Sequence, residues 1–351
     1  MELSHLINNK IKNINLPKEG YFSHIFEDLY WGRLKLPFRL NHINIFIIEK
    51  KNGLILIDCG LKNLVTKKAW GKLLSNLPNG KKIEKIIISH HHPDHLGCAK
   101  MLSKELDIQV YMAKKELERS AFLFSLSNIK YSNLMTTVYK SFGFPDKTIS
   151  EFLKEGNYYK KLLNEIPNLK QLNFKKILTE YGEWKIRLDK GHSPSHISFS
   201  DEKRKVYICI DFLLPKITPN ISVEIDNINE NILQNYLEYL HEMKNIPNDW
   251  LIVPGHEEPY YGGGERAKKI IDHHTGRLER LKDLCSKNYI NTVEAMNKLF
   301  GRLKNNHDIF FAICETRAHL NFLVNKGEVI KRENSNGIDE FTKINAIKSK
   351  H

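Results

Sequence analysis

The chemically most informative stretch of the chain is the run HHHPDH at residues 90–95, which follows a short apolar segment. In an extended segment, side chains two positions apart point to the same side. His90 and His92 can therefore bind one metal ion as a pair. His91 lies between them and is predicted to point away and not to bind metal.

Asp94 and His95 come after a proline, where the chain turns, and can reach a neighbouring second ion. Three more polar residues follow apolar segments at turns: His192 in GHSPSH, Asp211 in CIDFLLP and His256 in VPGHEEP. Loops at strand ends are where an α/β scaffold presents a site. One such histidine is more often a packing residue, but five histidines and two aspartates so placed predict a site for two metal ions.

The apolar pattern predicts the elements that position these residues. Runs rich in Ile and Leu at 43–48 and 54–57, separated by the turn signal Lys51-Asn52-Gly53, predict a hairpin. The run 84–89 predicts a buried strand that ends at the histidines, and 62–77 has helical spacing. Alternating strands and helices indicate an α/β fold. Further strands are predicted at 108–112, 184–188, 196–200, 205–210 and 251–254, and further helices at 97–106, 229–245 and 265–285.

Residues 114–172 interrupt this alternation with a helical sequence rich in aromatic residues. We interpret the segment as a helical insertion that covers a pocket, like a lid. The alternative is additional helical packing against the sheet.

Composition is that of a folded globular protein, with 41% hydrophobic and 27% charged residues in a chain of 351. No apolar run approaches the ~18 residues of a membrane span, and the N-terminal sequence lacks the apolar stretch of a signal peptide. The five cysteines form no CxxC pair and are expected to be reduced and core-packed, which predicts a cytoplasmic protein. The net charge of +13 comes largely from lysines spread along the chain, so a solvated surface is the favoured interpretation. The alternative is attraction of anionic substrates or nucleic acid.

The motifs resemble, in their order along the chain, those of the metallo-β-lactamase superfamily. They are Asp58 in LIDCG, the run HHHPDH, and the segments around His192, Asp211 and His256, and they cover roughly residues 20–260. The resemblance implies an α/β fold, a four-layer αββα sandwich with the metal ions at one edge of the two sheets.

The same resemblance implies roles for individual residues. One ion would be bound by His90, His92 and His192, the other by Asp94, His95 and His256, and Asp211 would bridge both. Asp58 would support the histidine loop through hydrogen bonds. Two departures from the family pattern, Ser195 and Ile210 where glycine is usual or common, leave the detail of these loops open.

The C-terminal part resembles a winged-helix-like module of glyoxalase II-like and LACTB2-like members, through HHTGRLERL at 273–281 and ETRAHLNFLVNKGEV at 315–329. The predicted domains are a catalytic domain at 1–264, this module at 265–335 and a polar tail at 336–351. The helix at 265–285 mixes acidic and basic residues, so the module is predicted to pack on the catalytic domain or to form a dimer surface, and not to bind DNA.

The expected function is that of a metal-dependent hydrolase. Two neighbouring ions can lower the pKa of a shared water to ~7, which gives a metal-bridging hydroxide as nucleophile. Asp94 is the predicted catalytic residue, which orients this nucleophile and carries a proton to the leaving group. The expected cofactors are two divalent ions, Zn²⁺ by default, with Fe²⁺ or Mn²⁺ as alternatives.

A small ester or thioester is the favoured substrate, because the aromatic insertion suits an apolar acyl group. The alternatives are a metal-dependent ribonuclease or phosphodiesterase, a lactonase, and a catalytically silent binding protein, which the complete ligand set disfavours. True β-lactamase activity is not expected without a signal peptide. The expected partner is thus a small-molecule substrate. Nucleic acid is not favoured as a partner, no membrane association is expected, and a homodimer is left open.

Overall fold

The computed structural model describes residues 14–301, 303 and 305–344 of the chain. These residues separate into two units. The first comprises the described residues up to Ser125, together with Tyr159–Pro219 and Met243–Arg266. The second comprises Leu126–Tyr158, Asn220–Glu242 and the described residues from Ala267 onward. Part of the predicted insertion, 126–158, thus belongs with the C-terminal segment and not with the first unit.

A seven-stranded sheet in the first unit carries its strands in chain order. The hairpin predicted from the two apolar runs is confirmed as the antiparallel pair of its third and fourth strands. From the fourth strand onward the pairing is parallel, so the strand ends that precede Asp58 and His90 lie at the same edge. The strands are β1 (Ser23–Phe26), β2 (Leu29–Lys35), β3 (His42–Glu49), β4 (Leu54–Ile57), β5 (Ile83–Ile88), β6 (Gln109–Met112) and β7 (Leu169–Gln171).

A five-stranded sheet packs face to face against the first one. Its strands are β8 (Lys176–Leu178), β9 (Glu183–Asp189), β10 (His196–Asp201), β11 (Val206–Ile210) and β12 (Leu251–Pro254), in the order β12-β11-β10-β9-β8. Trp31 and Phe46 of the seven-stranded sheet share one buried core with Phe199 and Ile208 of the five-stranded sheet. The sequence VYICI of β11 is buried at every position, as expected for a central strand covered on both faces.

The helices are α1 (Leu64–Ser75), α2 (Pro93–Leu96), α3 (Ala99–Leu106), α4 (Lys114–Ser125), α5 (Asn128–Phe142), α6 (Asp146–Phe152), α7 (Tyr158–Leu163), α8 (Ile232–Met243), α9 (Gly263–Lys287), α10 (Thr292–Phe300) and α11 (Asn306–Asn325). Trp70 of α1 and Leu102 of α3 pack on the other face of the seven-stranded sheet. The indole Nε1 of Trp70 also donates to the carbonyl of Cys59 at 2.8 Å, which ties α1 to the loop after β4. Among the described helices, none is both long and apolar enough to cross a membrane.

The second unit contains a three-stranded antiparallel sheet, β13 (Ile290–Asn291), β14 (Val329–Glu333) and β15 (Asp339–Lys343), with β15 in the centre. The sequence interpretation placed 339–343 in a polar tail, and the structure differs. The fully buried guanidinium of Arg317 pairs with Asp339 at 2.5 Å, and Phe341 is buried beside it, 5.1 Å from ring centroid to guanidinium carbon. A buried charge needs a partner, and Asp339 supplies it. Residues 345–351 of the predicted tail lie outside the described residues.

The cysteines follow the prediction made from their number and spacing. All five, Cys59, Cys98, Cys209, Cys285 and Cys314, are free and buried. The expectation that they are buried in the core without disulfide bonds is confirmed.

Candidate metal centre

The predicted ligands are carried by loops that follow strands of the first unit. The run at 90–95 follows β5, with Pro93 starting α2, while His192 follows β9, Asp211 follows β11 and His256 follows β12. The structure brings all seven predicted residues together. They form two groups of three, with Asp211 against both.

The first triad consists of His90, His92 and His192, whose donor atoms lie within 4.8 Å of one another. Nε2 of His90 is 2.8 Å from Nδ1 of His92, so the two rings point to the same side, as the extended segment predicts. The ring of His91 points elsewhere, with its Nδ1 2.7 Å from the Glu116 carboxylate.

The second triad consists of Asp94, His95 and His256, again with donor atoms within 4.8 Å. Oδ2 of Asp94 is 3.8 Å from Nε2 of His95 and 3.6 Å from Nε2 of His256. The side chain of Asp94 is 22% exposed, whereas both rings are buried. Asp94 is therefore the member of this triad that solvent can reach.

Asp211 lies between the two triads. Its Oδ2 is 3.4 Å from Nε2 of His95 and 3.5 Å from Nε2 of His256. The same oxygen is 3.5 Å from Nε2 of His192 and 4.0 Å from Nε2 of His90. One carboxylate oxygen thus faces members of both triads, which is the geometry that a bridging ligand requires.

Hydrogen bonds on the outer side of the rings decide which nitrogen faces the centre. Nδ1 of His256 donates to the carbonyl of His42 at 2.7 Å, and Nδ1 of His95 is 2.8 Å from Oδ2 of Asp58. The hydroxyl of Ser89 donates to Asp58 and therefore accepts from Nδ1 of His90, at 3.0 Å. The rings of His90, His95 and His256 consequently present Nε2 to the centre, and such outer partners are what orients histidine ligands in metal sites.

Two buried polar atoms test whether this donor set fits metal ions. Nε2 of His95 and Oδ1 of Asp211 are buried and make no hydrogen bond within the described part of the chain. Buried polar atoms are normally satisfied, so these two are positioned for a ligand from outside the chain. Nitrogen donors combined with carboxylates suit a divalent transition metal, and the residues fit such ions.

The electrostatics of the centre favour added positive charge. Burial, together with neighbouring histidines, holds the pKa of His90 and of His92 well below the usual value, so both rings are neutral. Burial opposes ionisation of Asp211 as well, but His256 and His95 outweigh it and hold the pKa of this carboxyl well below its usual range. Neutral imidazoles and an ionised carboxylate are the protonation states that metal ligands need.

The second triad differs from the first in this respect. Burial alone lowers the pKa of His95, but the negative charges of Asp211, Asp58 and Asp94 outweigh it and raise the pKa well above its usual value. The carboxylates thus stabilise a positive charge at His95. A metal ion would take the place of that proton.

Three non-glycine residues beside the site have a left-handed backbone. Asp58, Ile210 and Glu257 have φ angles of 62°, 48° and 72°, in the left-handed region. Of these, Ile210 is β-branched, and a β-branched residue rarely adopts this conformation. Holding it there costs a free energy on the order of 1–3 kcal/mol. Ile210 stands where glycine is common in the resembled family, and its left-handed backbone gives the physical reason for that preference.

Gly255 is required for a different reason, a close approach. A Cβ atom at this position would lie 2.6 Å from Oδ1 of Asp211. The strand end before His256 therefore has to be glycine for Asp211 to keep its place between the triads.

Several residues of the centre were missed from the sequence. Ser89 directly precedes the histidine run, so its position was a usable signal, and His196 is the last residue of the GHSPSH motif. The ring of His196 is buried, and its Nε2 lies 3.5 Å from the backbone N–H of Asp211. His42 and Glu116 lie far from the motifs in sequence, and no spacing rule points to them.

Burial alone would raise the pKa of Glu116, but its contact with His91 and the hydrogen bonds from Ser193 and Ser195 outweigh burial and lower it.

A further group of buried donor atoms lies in the second unit, formed by His274, Glu315 and His319. Nδ1 of His274 is 3.0 Å from Nε2 of His319, and Nδ1 of His319 is 2.8 Å from the carbonyl of Glu315. The carboxylate of Glu315 already pairs with Arg277. That guanidinium already supplies the positive charge that a metal ion would bring. We therefore interpret this group as a buried network of polar side chains between the helices.

A known protein family matches the part of the chain that carries this centre. The family model of the Metallo-beta-lactamase superfamily matches residues 39–256, which is more than half of the chain. The chain belongs to the metallo-beta-lactamase superfamily. A second family model, the Metallo-beta-lactamase-like, C-terminal domain, matches residues 278–344.

Relatives within the superfamily agree with this assignment. The chain is 22% identical over 304 residues to a probable metallo-hydrolase, YqjP, of Bacillus subtilis (strain 168), a match that covers 85% of this chain and 92% of that protein. It is similar in structure to a beta-lactamase domain protein from Burkholderia ambifaria, with a TM-score of 0.83, 25% identity and coverage of 94% of this chain and 95% of that one. A metallo-beta-lactamase family protein from Thermus thermophilus has a TM-score of 0.75 at 22% identity, covering 91% of this chain and 100% of that one. The predicted superfamily, its α/β fold and the assignment to the metal-dependent hydrolases are confirmed.

Asp58→Asn tests the outer support of the second triad. The amide replaces one of the carboxylate oxygens that accept from Ser89 and His95, while asparagine tolerates the left-handed backbone. We expect the fold to persist and the affinity for the ion of the second triad to fall about 10- to 100-fold, measured by chelator competition with elemental analysis. The ion of the first triad should be weakened less, because His90 contacts Asp58 only through Ser89. Asp107→Asn is the matched control, because Asp107 also has a positive φ but is exposed. Equal metal affinity in both variants would contradict a role for Asp58.

Gly255→Ala tests the close approach to Asp211. The added methyl group must displace the carboxylate, and a misplacement of 1 Å costs on the order of 10²-fold in rate. We expect reduced metal content and a corresponding fall in kcat/KM. Gly71→Ala, in the interior of α1 with open space around the added methyl group, should instead raise the free energy of unfolding by about 0.5–1 kcal/mol. Wild-type activity and metal content in Gly255→Ala would show that Asp211 does not need its present position.

Proposed function

We propose that this protein is a hydrolase that works with two divalent metal ions, one held by the first triad and one by the second, with Asp211 as the bridging ligand. The observation that carries the proposal is the position of the Asp211 carboxylate, whose Oδ2 lies within 4.0 Å of histidine nitrogens of both triads. Zn²⁺ is the proposed metal, because two nitrogen-rich donor groups suit it best.

When bound, the ions supply Lewis acidity and lower the pKa of a coordinated water. The chain supplies the remaining functions. Asp94 is the accessible carboxylate of the centre, so it can accept a proton from an attacking water and deliver it to the leaving group. Asp211 is 8% exposed and faces histidines on several sides, which leaves it a structural ligand.

The proposed substrate is a small ester or thioester. Two cations beside the His256 loop bear on this choice, and both are neutralised. Arg33 pairs with Glu258 at 3.2 Å and Lys216 pairs with Glu257 at 2.5 Å. Phosphodiester and RNA recognition depends on cations that contact phosphate, so this surface favours an uncharged carbonyl substrate over a polyanion.

Other expectations remain predictions. They are that 114–172 acts as a lid, that the C-terminal module forms a dimer surface, and that the protein is cytoplasmic. A lactone carries the same uncharged carbonyl as an ester, so lactonase activity is an outcome of the same test.

A substrate panel tests the reaction class. The protein loaded with Zn²⁺ is assayed against esters, thioesters, lactones, a phosphodiester and RNA, each with and without a chelator. We expect the highest kcat/KM on an ester or thioester, with activity lost on chelation and only weakly dependent on salt. Higher kcat/KM on the phosphodiester or RNA, with a steep decrease as salt is raised, would favour a nuclease.

Asp94→Asn tests the proton-carrying role. The amide cannot accept a proton, so kcat should fall about 10²- to 10⁴-fold while the circular dichroism spectrum stays unchanged. Asp146→Asn is the control, since the side chain of Asp146 is 82% exposed and pairs only with Lys140 in the contacts described. Full rate and full metal content in Asp94→Asn would refute the assignment.

A further inference from the structure

Glu116 is a buried carboxylate that takes no part in the proposed ligand set. It lies on α4 and has no exposed surface. Taking an ionised carboxylate out of water is costly unless its oxygens are satisfied. Here the carboxylate accepts four hydrogen bonds, two at each oxygen.

Each oxygen of Glu116 serves a different loop. Oε2 accepts from the backbone N–H of His91 at 3.1 Å and from Nδ1 of the same residue at 2.7 Å. Oε1 accepts from the hydroxyl of Ser193 and from the backbone N–H of Ser195, both at 2.6 Å. One side chain therefore joins the loop after β5 to the loop after β9.

The contacts on His91 are reinforced from the other side of the peptide. The hydroxyl of Tyr159 donates to the carbonyl of His91 at 2.8 Å and lies 3.1 Å from the hydroxyl of Ser120, one turn after Glu116 on α4. The backbone of His91 is thus fixed at both its N–H and its C=O. Its neighbours in the chain are the two histidines of the first triad.

We propose that Glu116 is a positioning residue for the first triad: it sets the separation between the loop that carries His90 and His92 and the loop that carries His192. This inference rests on the proposed two-metal site. It explains why His91 and Ser193, which bind no metal in that proposal, occupy buried positions beside the ligands.

The second triad is held by different groups. His95 is oriented by Asp58, and His256 by the carbonyl of His42. Loss of Glu116 should therefore weaken the ion of the first triad selectively. Loss of Asp58 should weaken the ion of the second triad and also, through Ser89 and His90, affect the ion of the first. A general loosening of the fold would weaken both.

The decisive variant is Glu116→Gln, in the full-length protein. The amide keeps the shape but replaces an acceptor oxygen with an NH₂ group that faces donors, which leaves buried groups unsatisfied. Wild type and variant are saturated with Zn²⁺ or Co²⁺ and exposed to a graded series of competing chelator, with metal content measured at each step. Glu118→Gln is the matched control, because Glu118 lies on the same helix with its side chain 58% exposed.

We expect one equivalent of metal to bind about 10- to 100-fold more weakly in Glu116→Gln, while the other equivalent keeps its wild-type affinity. The Co²⁺ absorption spectrum of the remaining ion should match that of His192→Ala and differ from that of Asp58→Asn. Equal weakening of both ions, or unchanged affinity for both, would overturn the proposal. A wild-type protein that binds no metal would instead refute the two-metal function, so the two failures are distinguishable.

Ser193→Ala provides a second test if Glu116→Gln does not fold. It removes one donor to Oε1 and leaves the carboxylate in place, so the same ion should weaken by about 2- to 10-fold. Ser75→Ala, at the end of α1, is its control. An unchanged affinity in Ser193→Ala, measured with a folded protein, would count against the proposal.

Discussion

The arrangement of the centre depends on one buried, ionised carboxylate. Asp211 is almost fully buried, and nitrogen atoms from three separate loops surround it and stabilise it as an anion. A buried charge without partners would cost several kcal/mol. The positions of the strand ends, the close approach of Gly255 and the hydrogen bonds on the outer side of the rings all keep these nitrogen atoms in place.

A hierarchy of supports follows from that constraint. The two sheets place the loops at one edge, and hydrogen bonds on the outer side turn the rings of His90, His95 and His256 so that Nε2 faces inward. Glu116 joins the loop after β5 to the loop after β9. Each of these supports acts on a smaller part of the centre than the one before it. In the proposed function the buried residues bind the metal ions, and the partly exposed Asp94 carries the proton.

The sequence allowed the cluster of candidate ligand residues to be predicted because their signals are local. HHHPDH is a contiguous run, and His192, Asp211 and His256 each follow a recognisable apolar strand. Alternation of strands and helices likewise predicted the α/β fold and the strands that precede the candidate ligands, but not the separation of 126–158 and 220–242 from the first unit. The supporting residues were not predictable in this way, because Glu116 is 25 positions from His91 and 77 from Ser193, and only the folded chain brings them together.

The C-terminal strand illustrates the same limit. Polar residues around Asp339 have the composition of a loose tail, and nothing adjacent in sequence indicates otherwise. The reason for order is Arg317, a buried cation on a helix 22 positions earlier, which pairs with Asp339. Long-range charge pairing of this kind leaves no periodic signature in the sequence.

The left-handed backbone at Ile210 has a consequence for the proposed binding of metal ions at the centre. The side chain of Ile210 is fully buried, so packing holds the residue in a conformation that it would otherwise avoid. A glycine there could visit many backbone states, whereas the isoleucine has few. The Asp211 loop is therefore ordered when the chain folds, and in the proposed function the binding of metal ions would not have to order it again.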